Sequence, residues 1–313
     1  MVRKAKGPVK RNNKTDVKAA GVILALFVVG VLLFMFFNKS TEAPKSKSRM
    51  PAKPAAKLAV KPKPYKQTSS FPAAVITTPK IVSKKKIAPG SAGRIAFVLD
   101  DWGGSLKNCK YLKEIPDPLA IAILPSLRYT DEIAKCASIN GKTVMLHLPM
   151  EAQHNKDLYP VDYLIKTSMK PAKVEKILNG YLQKMPWIEG VNNHMGSKVT
   201  EDRVLMQVIL KRLKKKNLFF LDSMTAQHSV CNEIAGGLGL PFTQRDIFLD
   251  NINTREEIIK QIVALAARAR KNGSAIAIGH DRSLTLQVLK EQIPILKEQG
   301  FDIVNVKTLL RKK

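Results

Sequence analysis

Ile95-Ala96-Phe97-Val98-Leu99-Asp100-Asp101 is the stretch on which the fold turns: five apolar residues in succession, closed by two acids. A strand with one wet face alternates apolar and polar residues, whereas an unbroken apolar run is buried on both faces, as in a parallel sheet covered by helices. Adjacent carboxylates at the end of such a run are costly unless a cation or a histidine offsets their repulsion. Outward from this stretch the same grammar repeats. Strands are expected at 119–124, 143–148, 190–193, 218–222, 246–250, 275–279 and 302–306.

Helical periodicity fills the intervals. Val174, Ile177, Leu178, Tyr181 and Leu182 keep the i, i+3, i+4, i+7, i+8 spacing after Pro171, a good first-turn residue. Val204, Leu205, Val208, Ile209 and Leu213 repeat it, with Thr200 as the expected cap and Lys214 to Lys216 in the last turn. Thr254 and Glu257 have capping-box spacing ahead of Ile258, and Gly273 suits the exit. Eight strands alternating with helices predict one α/β domain over residues 94–313, closed as a barrel.

The first third of the chain reads differently. Residues 1–94 hold 21 Lys/Arg against Asp16 and Glu42, a net charge of +19, while residues 95–313 hold 32 against 23, a net charge of +9. Most of the excess charge thus lies outside the expected fold, in a segment with few aromatics, which argues against a nucleic-acid-binding face. Ala19–Phe37 is 19 residues without a charge; as a helix it spans roughly 28 Å, enough for the hydrocarbon core of a bilayer. It is too long for the apolar region of a cleaved leader, and no good cleavage site follows, so an uncleaved anchor is expected.

Seven Lys/Arg precede this segment and six follow within 20 residues, so the flanking charges are nearly balanced. The short tail, residues 1–18, is expected in the cytoplasm with the C-terminal domain exported to the periplasm or cell exterior. Residues 38–93, with eight prolines in 38–92 and recurrent Pro-Lys and Ala-Lys steps, read as a disordered stalk, part of which, Val75–Val82, is apolar enough to dock on the domain. Cys109, Cys136 and Cys231 form no metal-type pair; buried free thiols are the plain expectation, and an oxidising compartment would allow a Cys109–Cys136 bridge.

Polar residues gather where the expected strands end. Asp100 and Asp101 follow the first strand and His147 the third; Asn192, Asn193 and His194 close the fourth, and Asp222, Asp250 and His280 the fifth to seventh. In a β/α barrel these ends converge on one face. Singly, each has an ordinary explanation, such as a helix cap or a satisfied core histidine. Together they imply a divalent-metal site. One carboxylate and two imidazoles suit Zn²⁺ with positions left for water, and such an ion acidifies its water and polarises a carbonyl, the chemistry of amide or ester hydrolysis.

At these residues the chain resembles the divergent polysaccharide deacetylases, in five ordered motifs: Leu99-Asp100-Asp101, His147-Leu148-Pro149-Met150-Glu151, Asn192-Asn193-His194-Met195-Gly196-Ser197, Arg245 to Asn251, and Ala277-Ile278-Gly279-His280. The resemblance covers about residues 94–310 and stops short of the anchor and stalk. That family is similar to the larger NodB-homology deacetylases, which implies a distorted (β/α)₇ barrel that removes acetyl groups from glycans with a divalent metal.

Carried over by motif, Asp100 resembles the general base, Asp101 and His147 metal ligands, and His280 the acid that protonates the leaving amine. Arg245 with Asp250 would hold and orient these groups. The larger family's H-x-x-x-H motif has Glu151 where its second histidine would stand, so either Glu151 or His194 supplies the third ligand; His194 is preferred, because its turn is rich in groups that orient an imidazole. The expectation is a membrane-anchored hydrolase acting on an envelope glycan; the alternative is an envelope protein that keeps the fold and binds a glycan or a partner without turnover.

Overall fold

The computed structural model of the protein describes residues 91–154 and 164–311. In chain order the elements are β1 (Gly93–Trp102), α1 (Cys109–Glu114), β2 (Ala120–Ile123), α2 (Thr130–Ile139), β3 (Thr143–Met150), α3 (Pro171–Lys184), β4 (Gly190–Met195) and α4 (Arg203–Lys215). There follow β5 (Phe219–Asp222), α5 (Cys231–Leu238), β6 (Phe242–Gln244), β7 (Ile247–Phe248), α6 (Arg255–Asn272), β8 (Ser274–His280), α7 (Ser283–Glu298) and β9 (Phe301–Ile303). The expected membrane segment Ala19–Phe37 and most of the expected stalk lie outside the described residues; among the described residues no helix is long and apolar enough to cross a membrane.

Every ladder between these strands is parallel, in the order β6-β5-β4-β3-β2-β1-β8-β7. The outermost strands, β6 and β7, are separated only by Arg245 and Asp246, a link of about 10 Å at full extension. The two edges of the sheet must therefore lie side by side, joined by the chain itself. This is a curled parallel half-barrel, consistent with a distorted (β/α)₇ barrel. The ninth strand fits because β1 is ten residues long: β8 occupies one edge through residues 94–100, while β9 at residues 93–95 and β2 at 98–102 share the other.

Period-two alternation sorts the core into two layers. Ile95, Phe97, Leu99, Val144, Leu146 and Leu148 pack toward the helices. Ala96, Val98, Ala120, Ala122, Met145, Leu221, Ile276 and Ile278 fill the inside of the curl. Small alanines there leave room for the sheet to bend. Gly190 is needed for the same reason, because a Cβ at this position would lie 2.3 Å from the Phe219 ring.

Local signals held at most helix ends. Pro171 opens α3, and Gly273 ends α6 in the left-handed conformation. The cap of α4 is Asp202, whose carboxylate accepts from Leu205 N; Thr200 instead lies in a short 3₁₀ turn and donates back to Gly196. Thr254 accepts from Glu257 N, but Glu257 turns to Lys260, so only half of the capping box forms. The run at 246–250 yields only Ile247–Phe248 as strand, with β6 before it, because the chain there crosses between sheet edges. All three cysteines are free; Cys109 opens α1, and Cys136 lies on α2 with its thiol 3.8 Å from the Cys109 carbonyl.

Candidate active site

The inner stripe of each strand changes character along its length. On β1 it runs Ala96, Val98, Asp100; on β3 Met145, His147; on β8 Ile276, Ile278, His280. Each stripe is apolar at the amino end and carries chemistry at the carboxyl end. β4 contributes Asn192 and His194 in the same phase, and Asp100 lies level with His280 in the β1–β8 ladder, as His147 lies level with Asn192.

Two consecutive residues of a strand point to opposite faces, so Asp100 and Asp101 could not both reach the inside of a regular β1. A bulge resolves this. Leu99 pairs with Ile121 and Trp102 with Ile123, three steps against two, and Asp101 takes φ +64°. The left-handed region disfavours most side chains, and Asp is among the few that tolerate it. The extra residue brings the Asp101 carboxylate in beside Asp100. Met195 and Met224, just past the carboxyl ends of β4 and β5 or at them, also have positive φ, so backbone strain concentrates on this face.

Three donor atoms converge. Asp101 Oδ1 lies 3.2 Å from His147 Nε2 and 3.0 Å from His194 Nδ1, and the two imidazole nitrogens are 3.1 Å apart. Asp101 Oδ1 is buried and, among the described residues, meets no properly directed hydrogen-bond donor. His147 Nδ1 lies 2.9 Å from Asn192 Oδ1, while the Asn192 amide nitrogen donates to Asp100 Oδ1 at 2.8 Å. Since Asn192 presents its oxygen, His147 Nδ1 carries a proton. Burial disfavours charge on the ring, but Asp100 and Asp101 outweigh it and raise the His147 pKa, and a cation bound there would take the Nε2 lone pair in place of a second proton. A buried carboxylate oxygen without a directed donor, beside an imidazole fixed in this tautomer, fits a divalent cation. Asp101, His147 and His194 would hold it.

Glu151 does not join them. Its carboxylate accepts from Thr167 N at 2.7 Å and Thr167 Oγ1 at 2.8 Å, and it pairs with Lys198 at 2.7 Å. Burial disfavours its charge, but these partners win and hold its carboxyl below the usual range.

Opposite the cluster stands His280. Its Nδ1 lies 2.8 Å from Asp250 Oδ1, and its backbone N–H donates to Asp250 Oδ2 at 3.0 Å. Thr285 Oγ1 donates to the same oxygen at 2.7 Å. Asp250 is fully buried. Burial works against both charges, yet each sustains the other: the Asp250 carboxyl is held below its ordinary value and the His280 imidazole raised above its own. His280 Nε2 faces Asp101 Oδ2 at 3.8 Å. Burial raises the Asp100 carboxyl, against the pull of His147 and Asn192. Burial opposes charge on Asp101 too, but the two imidazoles hold it far below the carboxylate range.

Arg245 and Asp250 do not act as a pair. The Arg245 guanidinium donates to the carbonyls of Ser223 at 2.7 Å and Met224 at 2.8 Å and lies over the Phe248 ring, which is 5.1 Å from the His280 ring. It braces the loop after β5 and one wall of the His280 pocket. Asp222 likewise serves its own turn, accepting from Met224 N and Ser229 Oγ. The sequence placed Asn192 among groups able to orient His194, whereas it orients His147, and gave Thr285 no role. Asn192 was visible as a polar residue at a strand end; Thr285, inside a helix, carried no signal. A further carboxyl, Asp281, is held by Asn108 at 2.7 Å and is pushed up to about 6 by burial.

A curled parallel sheet with a carboxylate and two histidines at the carboxyl ends, flanked by a second carboxylate and a carboxylate-backed histidine, defines a deacetylase-like α/β protein. Residues 97–310 match the family described as divergent polysaccharide deacetylase, and the chain belongs to it. It is similar to the uncharacterised protein YibQ of Escherichia coli K12, 33% identical over 206 residues, 66% of this chain and 64% of that protein. The match thus spans less than two thirds of that relative's length. An uncharacterised protein of Haemophilus influenzae is 34% identical over 220 residues, 70% of this chain and 78% of that one. Among solved structures, protein ATU2773 of Agrobacterium tumefaciens C58 shares the fold, with a TM-score of 0.66 and 21% identity over 69% of this chain and 89% of that one.

Proposed function

We propose that this protein is a metal-dependent hydrolase that removes acetyl groups from an envelope polysaccharide. The observation that carries the reading is the convergence of Asp101, His147 and His194 between Asp100 and His280. Two imidazoles and one carboxylate favour Zn²⁺ among divalent ions. When bound, such an ion supplies Lewis-acid polarisation of an acyl carbonyl and lowers the pKa of water.

The chain's own groups do the rest. Asp100, buried and raised in pKa, accepts the proton of the attacking water. Asn192 holds that carboxylate and His147 at once, which fixes the distance between base and ligand. His280, kept protonated by Asp250, donates to the departing nitrogen or oxygen. Ala19–Phe37 as an uncleaved anchor would keep the domain at the membrane, facing the periplasm or cell exterior.

The test is metal analysis of the purified chain together with acetate release from acetylated cell-wall oligomers. Wild type should bind Zn²⁺ and release acetate, and Asp100→Asn should keep the metal and lose the acetate. Metal retention with no acetate released from any acetylated glycan would leave a binding protein. Failure to bind a divalent metal would remove the reading altogether.

A further inference from the structure

The amino end of the sheet, opposite the site, has a character of its own. Helices that precede parallel strands end at this face, and two end in exposed cations. Lys215 lies in the last turn of α4 with Lys211 one turn before it and Lys216 just after it, and Arg270, over the Phe301 ring, and Lys271 lie in the last turn of α6. Arg94, exposed where β1 begins, is paired in register with Ser274, three residues beyond Lys271. A basic last turn is common for reasons of helix dipole alone. Here the basic residues run past the helix end, to Lys216, and make no ion pair among the described residues. The acids at this end of the sheet are Glu298 and Asp302, both exposed, and Glu114, Asp117 and Glu189, which are paired with Lys290, Lys297 and Lys307.

A second observation distinguishes this face from a merely solvated one. Trp187, 38% exposed, sits in the loop before β4. Gly190 pairs with Phe219, so the loop that carries Trp187 and the helix end that carries Lys216 lead into neighbouring strands at the same end of the sheet. An exposed tryptophan among lysines is the composition of a membrane interface, where the indole sits at headgroup depth and the cations meet anionic lipid.

We infer that the amino-end face of the domain, through Lys211, Lys215, Lys216, Arg270, Lys271 and Trp187, lies on an anionic phospholipid surface and turns the Asp101–His147–His194 site away from it. The chain enters β1 on this same face, from a segment of net charge +19 that includes the expected anchor Ala19–Phe37. That placement favours lipid over a free polyanion. This orientation does not depend on turnover at the site.

The chain contains two tryptophans, and Trp102 is fully buried, so quenching by lipid reports Trp187. The full chain is reconstituted into vesicles of brominated phosphatidylcholine, with or without about 30 mol% phosphatidylglycerol. Quenching of Trp187 should be about threefold greater in the anionic vesicles, fall in about 0.5 M salt, and vanish in Trp187→Phe. The variant Lys215→Glu/Lys216→Glu/Lys271→Glu, whose anchor and stalk are unchanged, should quench only as in neutral lipid. Equal quenching in both vesicle types, or full quenching by the triple variant, overturns the inference. So does displacement of Trp187 from anionic vesicles by duplex DNA at equal charge, which would assign the face to nucleic acid.

Discussion

The two halves of the site treat histidine in opposite ways. On the β3–β4 side, His147 is backed by an amide, Asn192, and shares its front with His194 and Asp101. On the β7–β8 side, His280 is backed by a buried carboxylate, Asp250, and faces Asp101 from 3.8 Å. An amide fixes a tautomer without adding charge behind the ring; the carboxylates that raise the His147 pKa against burial, Asp100 and Asp101, stand in front of it, where a bound cation would take the proton's place. A carboxylate fixes orientation and also raises proton affinity, which makes the imidazole an acid. The same side chain becomes ligand or proton donor through the atom behind it.

The sharpest way to break this contrast is to remove its metal half. His147→Ala or His194→Ala should lower Zn²⁺ affinity more than about a hundredfold, beyond the range of an outer-shell change, as read by calorimetric titration. Retention of tight Zn²⁺ binding by both would refute the ligand assignment. The other half should fail differently. Asp250→Asn should leave Zn²⁺ affinity unchanged while acetate release drops about 10²- to 10⁴-fold, the worth of general acid catalysis.

The same pair predicts a pH signature in stability. Asp250 has a depressed folded pKa, so its contribution is present above the unfolded carboxylate value near 3.9 and is lost as pH falls through the lower folded value. His280 has a raised folded pKa, so its contribution is full below the unfolded value near 6.5 and is lost as pH rises through the higher one. The pair should therefore stabilise most between about pH 4 and 6.5. Thermal melts should show Asp250→Asn furthest from wild type inside that window and closer to it well below and well above it; a difference that grows steadily with pH would contradict the pairing.

Smaller effects sharpen the comparison. Asn192→Leu should release the His147 tautomer and cost Zn²⁺ affinity about 10- to 100-fold, with Asp100 losing its amide donor as well. Glu151→Gln should be the mildest, with Zn²⁺ affinity unchanged and a stability loss of at most about 1 kcal/mol, because its Lys198 partner is exposed. Loss of Zn²⁺ binding here with retention in His194→Ala would exchange the two residues' roles.

Much of this was legible in the chain because burial on both faces leaves unbroken apolar runs, and those runs mark parallel strands. Leu99-Asp100-Asp101 and Ala277 to His280 told where the strands end and what they carry. The route between β6 and β7 was not legible: closure of the curl depends on distant edges meeting, which no local pattern encodes. Nor was the division of labour between Arg245 and Asp250. Both stand in one motif, yet Asp250 grips His280 while Arg245 turns to the carbonyls after β5. Thr200 lost the capping role to Asp202 because it was drawn into the turn after Gly196.

The bulge in β1 has a consequence for inheritance. Between Leu99 and Trp102 the strand carries one residue more than its partner needs. A single-codon deletion there would restore even pairing with β2, keep the apolar ladder on both faces, and leave one carboxylate pointing inward where two now stand. A chain with a base beside its ligand carboxylate and a chain with a single carboxylate for both tasks are one codon apart.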